Sequence, residues 1–177
     1  MLTSYTGTEP DVTIPDSIDG KPVTAVGSGA FKKNRILRSV KIPPSVRRID
    51  SNAFRECRAL QSVAFGNGVS YIGDMAFLGC SSLRKINIPS NVDEISIYAF
   101  AYCTNLEQIN LNEGIKIIGY CAFAHCPKLR SVSLPFSVAD IGGDAFEGAS
   151  PELTLSVAEG SYSLDYAEKN GLPYIIS

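Results

Sequence analysis

One histidine and five cysteines are the side chains of this 177-residue chain best suited to nucleophilic or metal chemistry. His125 lies four residues after Cys121, and on one helical turn the two would meet as a thiolate–imidazole pair, the core of a hydrolase. The competing reading puts His125 in an exposed column shared with Glu56, Gly79 and Tyr102, each 23 residues from the next. Occupants so different in chemistry fit a surface position with no fixed task. Cys57, Cys80, Cys103 and Cys126 are also 23 apart, and Cys121 and Cys126 are five apart. A structural zinc site uses ligand pairs about two to four residues apart, and no such cysteine pair exists. The four spaced cysteines read as a stack of buried thiols, because free cysteine packs as a small apolar side chain. Disulfides are the alternative, since Cα atoms in such a stack would lie about 5 Å apart. Gly66-Asn67-Gly68 lacks the downstream lysine and helix of a phosphate loop. No carboxylate pair recurs as a glycosidase would need. No catalytic residue, metal or cofactor is expected.

The elements that position these residues come from one period. Alanine followed by phenylalanine recurs at Phe31, Phe54, Phe77, Phe100, Phe123 and Phe146, always 23 residues apart. Leu60, Leu83, Leu106 and Leu129 form a second column, and Ile49, Ile72, Ile95, Ile118 and Ile141 a third. Within a unit, Leu83-Arg84-Lys85-Ile86-Asn87-Ile88 alternates apolar and polar residues at its end, the period-two pattern of a half-buried strand. Pro43, Pro89 and Pro135 stop this strand. A second apolar pair such as Val92 and Ile95 follows, then a corner, then the Ala-Phe step, read as one turn of helix or 3₁₀ helix. Such a unit has an apolar side with nothing of its own to pack against. Stacking coil on coil covers it. Strands about 4.8 Å apart make seven coils a slab about 30–35 Å long. The expected fold is an α/β-type solenoid, a right-handed coil of short parallel strands with brief helical or 3₁₀ turns, and with the phenylalanines stacked inside.

Residues 1–11 read as an N-terminal segment continuing a longer protein, 12–154 as six repeats, and 155–177 as a C-terminal capping repeat. The first repeat carries five extra residues around Asp19-Gly20-Lys21-Pro22, a turn-forming set expected to bulge out as a loop. Tyr162 to Lys169 reads as a short amphipathic capping helix. The N-terminal coil shows no comparable cap, so the chain is expected to be a monomer or a weak head-to-head dimer through that coil.

A formal charge of −2 and a pI near 5.4 argue against nucleic acid as a partner. No apolar run reaches the length that spans a bilayer, so no membrane insertion is expected. The first residues have neither the basic start nor the apolar stretch of a signal peptide. Basic residues outnumber acidic ones ten to six in residues 1–62, and the balance reverses to six against twelve in residues 63–177.

The columns resemble the BspA-like class of leucine-rich repeats, found in bacterial surface antigens. Val63 to Lys85 and Ile86 to Gln108 match its 23-residue consensus nearly column for column, and the likeness covers residues 12–177. The resemblance implies a modular, mostly extracellular protein of the kind linked to adhesion to host matrix proteins. The expected function is then non-enzymatic binding of a protein or glycoconjugate at the cell surface or after secretion. A cytosolic location stays open on the residues alone, as does a purely structural spacer.

The strand face is the usual binding surface of such repeats. Its outward column runs Lys41, Ala64, Asn87, Asn110, Ser133 and Ser156, flanked by Arg38, Gln61, Arg84, Glu107 and Arg130. The candidate ligand-binding residues are Lys41, Arg84, Asn87, Asn110, Arg130 and Ser133. An alternative patch on the return segment comprises Tyr71, Ile97, Ile117 and Tyr120, apolar where other repeats carry charges. The competing view is that adjacent corners half bury it.

Overall fold

A computed structural model describes residues 1–177. In chain order the first strands are β1 (Asp11–Thr13), β2 (Ser17–Ile18), β3 (Lys21–Pro22), β4 (Ala25–Val26), β5 (Ser39–Lys41), β6 (Arg48–Ile49), β7 (Ser62–Ala64) and β8 (Tyr71–Ile72). They continue with β9 (Lys85–Asn87), β10 (Glu94–Ile95), β11 (Gln108–Asn110), β12 (Ile117–Ile118), β13 (Ser131–Ser133), β14 (Asp140–Ile141) and β15 (Thr154–Val157). Helix α1 (Tyr162–Lys169) and strand β16 (Tyr174–Ile176) complete the chain. No helix is long and apolar enough to cross a membrane.

The strands stack as a solenoid of about seven coils. A front sheet takes one strand per coil, and a return sheet takes the second. Pairing is parallel at the repeat offset, as in Val40 with Val63, Ile109 with Val132 and Ile118 with Ile141. The two end steps differ: Val12 lies beside Val40, because the five-residue insertion intervenes, and Leu155 lies beside Tyr174 after the shorter last coil. That insertion is more ordered than a plain loop. It folds as an antiparallel hairpin of β2 and β3 around Asp19 and Gly20, both at positive φ, the conformation a two-residue hairpin turn requires.

The three apolar columns fill one core that runs the length of the molecule. The rings of Phe31, Phe54, Phe77, Phe100, Phe123 and Phe146 stack with centroids 4.9 to 5.8 Å apart. Tyrosine closes the column at each end, Tyr5 stacked 4.8 Å from Phe31 and Tyr166 set edge-on against Phe146. The thiols of Cys57, Cys80, Cys103 and Cys126 are buried, and each donates to the carbonyl of a phenylalanine in the preceding coil, at 3.0 to 3.3 Å. Cysteine thus fills the column both as an apolar filler and as a donor to a backbone oxygen.

The Ala-Phe step differs from the helical turn expected. It consists of tight turns with two residues per coil at positive φ. One column of these is Asn52, Met75, Tyr98, Cys121 and Asp144; the other includes Glu56, Tyr102 and His125. Left-handed backbone costs an L-residue about 1–2 kcal/mol. Here it turns N–H groups toward the next coil: Met75 donates to Ile97, Tyr98 to Tyr120, and Tyr102 to Ala124. The phenylalanine between them donates too, as Phe77 does to Ala99.

This turn-side ladder is unbroken, whereas both sheets are interrupted at the same step. The front sheet divides between β7 and β9, and the return sheet between β8 and β10. Side chains bridge the seam instead: Asn91 donates to the Asn67 carbonyl and buried Ser96 to the Ile72 carbonyl. Val63 and Phe65 are half-buried there, while the matching Val40, Ile42, Ile86 and Ile88 are fully buried. Gly66, standing where other coils place Pro43 or Pro89, supplies a cause. A Cβ on it would come within 2.6 Å of the Pro43 carbonyl carbon, so glycine lets the third coil settle closely onto the second and away from the fourth.

The ends also depart from expectation. Helix α1 forms where the sequence places it, capped by the Ser161 hydroxyl accepting from Leu164 N–H. The N-terminal coil is not bare, however. Leu2 forms a parallel bridge with Val26, and Tyr5 N–H donates to the Ala30 carbonyl. Phe100 lies mid-column between Phe77 and Phe123 with no exposure, so Phe100→Ala is expected to cost about 3–5 kcal/mol in a denaturant titration. A loss under about 1 kcal/mol would be incompatible with a close-packed column.

Candidate functional site

The front sheet sets the spacing of the candidate surface. With the middle residue inward in each three-residue strand, two outward columns result rather than the one read from sequence. Lys41, Ala64, Asn87, Asn110 and Ser133 form the first, and Ser39, Ser62, Lys85, Gln108 and Ser131 the second. The second was legible in principle, because period-two alternation points residues on both sides of Ile86 the same way.

The structure brings Asn87 and Asn110 together, their side-chain amides bonded at 2.6 Å, and Gln108 joins them through Asn110 Oδ1. Arg84 is exposed and pairs with no carboxylate. Arg130, by contrast, lies 3.3 Å from Glu152. Ser133 lies on β13, the strand next to that of Asn110, whereas Lys41 lies on β5, across the seam from Asn87. A depression of 510 Å³ opens at one end of the seam, lined by Gln61, Ser62, Ser82, Arg84 and Asn105. A second, of 340 Å³, opens at the other end between the Phe65–Asn67 and Asn87–Ser90 segments. The front face is thus polar and mixed in sign, with an unpaired guanidinium at its main hollow.

The alternative patch is partly as expected. Ile97, Ile117 and Tyr120 are 43%, 38% and 45% exposed, so adjacent corners cover part of each and leave an apolar face open. Tyr71 is half-buried, with the Arg48 guanidinium 4.4 Å above its ring. It sits beyond the seam from the other three.

Cys121 and His125 do not form a dyad. Both are at positive φ, and the His125 ring lies against Tyr102, tilted by 33° with centroids 4.5 Å apart. The Cys121 thiol packs with Ala101 and Ala124 beside Tyr98, and its proximity raises the hydroxyl pKa of both Tyr98 and Tyr120 above the ordinary tyrosine value. The 23-residue period brings a set together that sequence reading missed. The Cys121 sulfur and the carboxylates of Asp144 and Glu147 lie within 4.8 Å of one another, both acids exposed and Asp144 accepting from the Tyr120 hydroxyl at 3.4 Å.

A family model described as the BspA type leucine rich repeat region matches six copies over residues 24–152. The chain belongs to this family. Among solved structures, it is similar to a leucine rich cell surface protein from Faecalibacterium prausnitzii, at 29% identity and a TM-score of 0.66, covering 88% of this chain and 49% of that one. The T. pallidum leucine rich repeat protein is 32% identical with a TM-score of 0.55, over 87% of this chain and 61% of its own. The pneumococcal vaccine antigen PcpA is 26% identical with a TM-score of 0.74, over 89% and 43%. The chain therefore spans about half the length of these relatives. No curated protein matches it.

The thiol ladder of this BspA-type chain has a consequence for pH. Burial pushes Cys57 and Cys126 from 9.0 up to about 12, and it raises Cys80 and Cys103 well above 9.0. Above the unfolded pKa the unfolded chain releases protons that the native chain keeps, so stability falls as pH rises from about 9 toward 12. The urea midpoint should drop between about pH 8 and pH 10.5, and less steeply in Cys103→Ala. An equally steep fall in the variant would show that the ladder contributes nothing to the alkaline loss.

Proposed function

We propose that this chain is a non-enzymatic binding module that engages a protein or glycoconjugate through its front sheet, at a bacterial cell surface or after secretion. The supporting observation is the hollow at the seam, where Arg84 stands without a carboxylate partner among the amides and hydroxyls of Gln61, Ser62, Ser82 and Asn105. Such groups recognise polar, hydrogen-bonding ligands, and the guanidinium offers a bidentate site for an acidic group. The surface location rests on the likeness to a cell surface protein and to a vaccine antigen. Host matrix proteins are the first partners to try.

The test is binding of the protein to immobilised matrix proteins and glycans, with paired variants. Arg84→Ala combined with Asn87→Ala should weaken binding about tenfold or more, a loss of about 1.4 kcal/mol. Ile97→Ser combined with Tyr120→Ser should leave it unchanged. The reverse pattern would move the site to the return-side patch. Binding unaffected by either pair would favour the spacer role.

A further inference from the structure

At both ends of the solenoid the phenylalanine column and the return sheet are closed off, but the front sheet is not. Tyr5 and Leu2 do the covering at one end, Tyr166 and α1 at the other. The outermost front strands, β1 and β16, each have a ladder on one side only. In β1, Arg38 N–H donates to the Pro10 carbonyl and Ile14 N–H to the Lys41 carbonyl. Even-numbered residues therefore face β5, and the backbone groups of Asp11 and Thr13 point away from it. In β16, Leu155 N–H donates to the Pro173 carbonyl and Ser177 N–H to the Val157 carbonyl. Odd-numbered residues face β15 there, which leaves Tyr174 and Ile176 on the free edge. These two residues are 39% and 53% exposed, although their ladder partners Leu155 and Val157 are fully buried.

We propose that copies of this chain associate head to tail, the free edge of β16 in one copy pairing in parallel with the free edge of β1 in the next. Two observations select a second copy as the occupant. The two edges belong to the same sheet, run in the same direction and are each three residues long. Tyr174 and Ile176 extend the interior columns of Leu155 and Val157, and an incoming coil carries Val12 and Ile14 in those columns. Neither β1 nor β16 holds a lysine, the residue that commonly blunts a sheet edge. The contact uses a different patch on each partner, so it does not close at a dimer. A head-to-head contact through β1, the association expected from sequence, would leave the edge of β16 unpaired.

Thr13→Pro and Ile176→Pro each remove one outward N–H and leave the donors to β5 and β15 in place. Both segments already hold prolines, at Pro10, Pro15 and Pro173. In sedimentation up to about 1 mM protein, the average mass of the wild type should rise with concentration past that of a dimer. Each variant alone should stay monomeric. An equimolar mixture should give dimers and nothing larger, since one variant retains an intact β16 and the other an intact β1. Recovery in the mixture also shows that both variants fold. A wild type that remains monomeric overturns the proposal, as does a mixture that does not recover. Dimers of either variant alone would do so too, because they require head-to-head or tail-to-tail pairing.

Discussion

Everything in this molecule hangs on the backbone bonds and stacked rings that join one coil to the next along the Ala-Phe side. Each coil there sends several N–H groups to its neighbour and lays a phenylalanine on the neighbour's ring. The bonds need left-handed backbone at two residues per coil, a local cost that the cross-coil partners offset. Because donor and acceptor lie one repeat apart, any coil of different length would put the rings and the bonds out of step. The five-residue insertion obeys this rule. It leaves the stack as an exposed hairpin and returns the chain in register. Buried cysteine thiols add donors to the phenylalanine carbonyls at the same offset, tying the column's side chains to its backbone.

The front and return sheets are subordinate to this spine. Their ladders stop together between the third and fourth coils, yet the rings stack through the same step without a gap. A glycine corner drawn onto Pro43 on one side and Ser96 reaching across to Ile72 on the other account for the step. A polar hollow opens beside this step, and that hollow is where Arg84 stands unpaired; a second, lined by Glu107, Lys128 and Arg130, lies further along the same face. A scaffold fixed on one side can therefore vary the opposite side, which is how a repeat fold comes to carry a binding surface.

Much of this was legible from residues alone. Phe54 to Phe146 announce the stack by spacing, Cys57 to Cys126 announce a buried column, and Tyr162 to Lys169 announce the C-terminal helix. Three features were not legible, each for a physical reason. The positive-φ columns hold Met75, Tyr98 and Cys121 rather than glycine, so composition does not mark a conformation that cross-coil bonding imposes. Tyr5 lies outside the repeat register, so its place over Phe31 leaves no periodic trace. The seam arises from how closely two corners approach, and Gly66 looks like an ordinary turn glycine until Pro43 is seen against it. The candidate site was half legible: Arg84 and Asn87 were expected on the front face, where they lie, but their grouping at an interrupted ladder depends on that packing. Cys121 and His125 show the opposite error, since spacing that would join them on a helix separates them on a turn.

Native-state hydrogen exchange resolved by residue tests the primacy of the spine most directly. The amides of Phe54, Phe77, Phe100 and Phe123 should be among the most protected, with no weakening at Phe77, whose bond to Ala99 crosses the seam. Val63 and Phe65, which face the interrupted side of β7, should exchange much faster than Val40 or Ile109. Strong, continuous protection through the front strands from β7 to β9, with Phe77 exchanging as fast as the corners, would contradict the account.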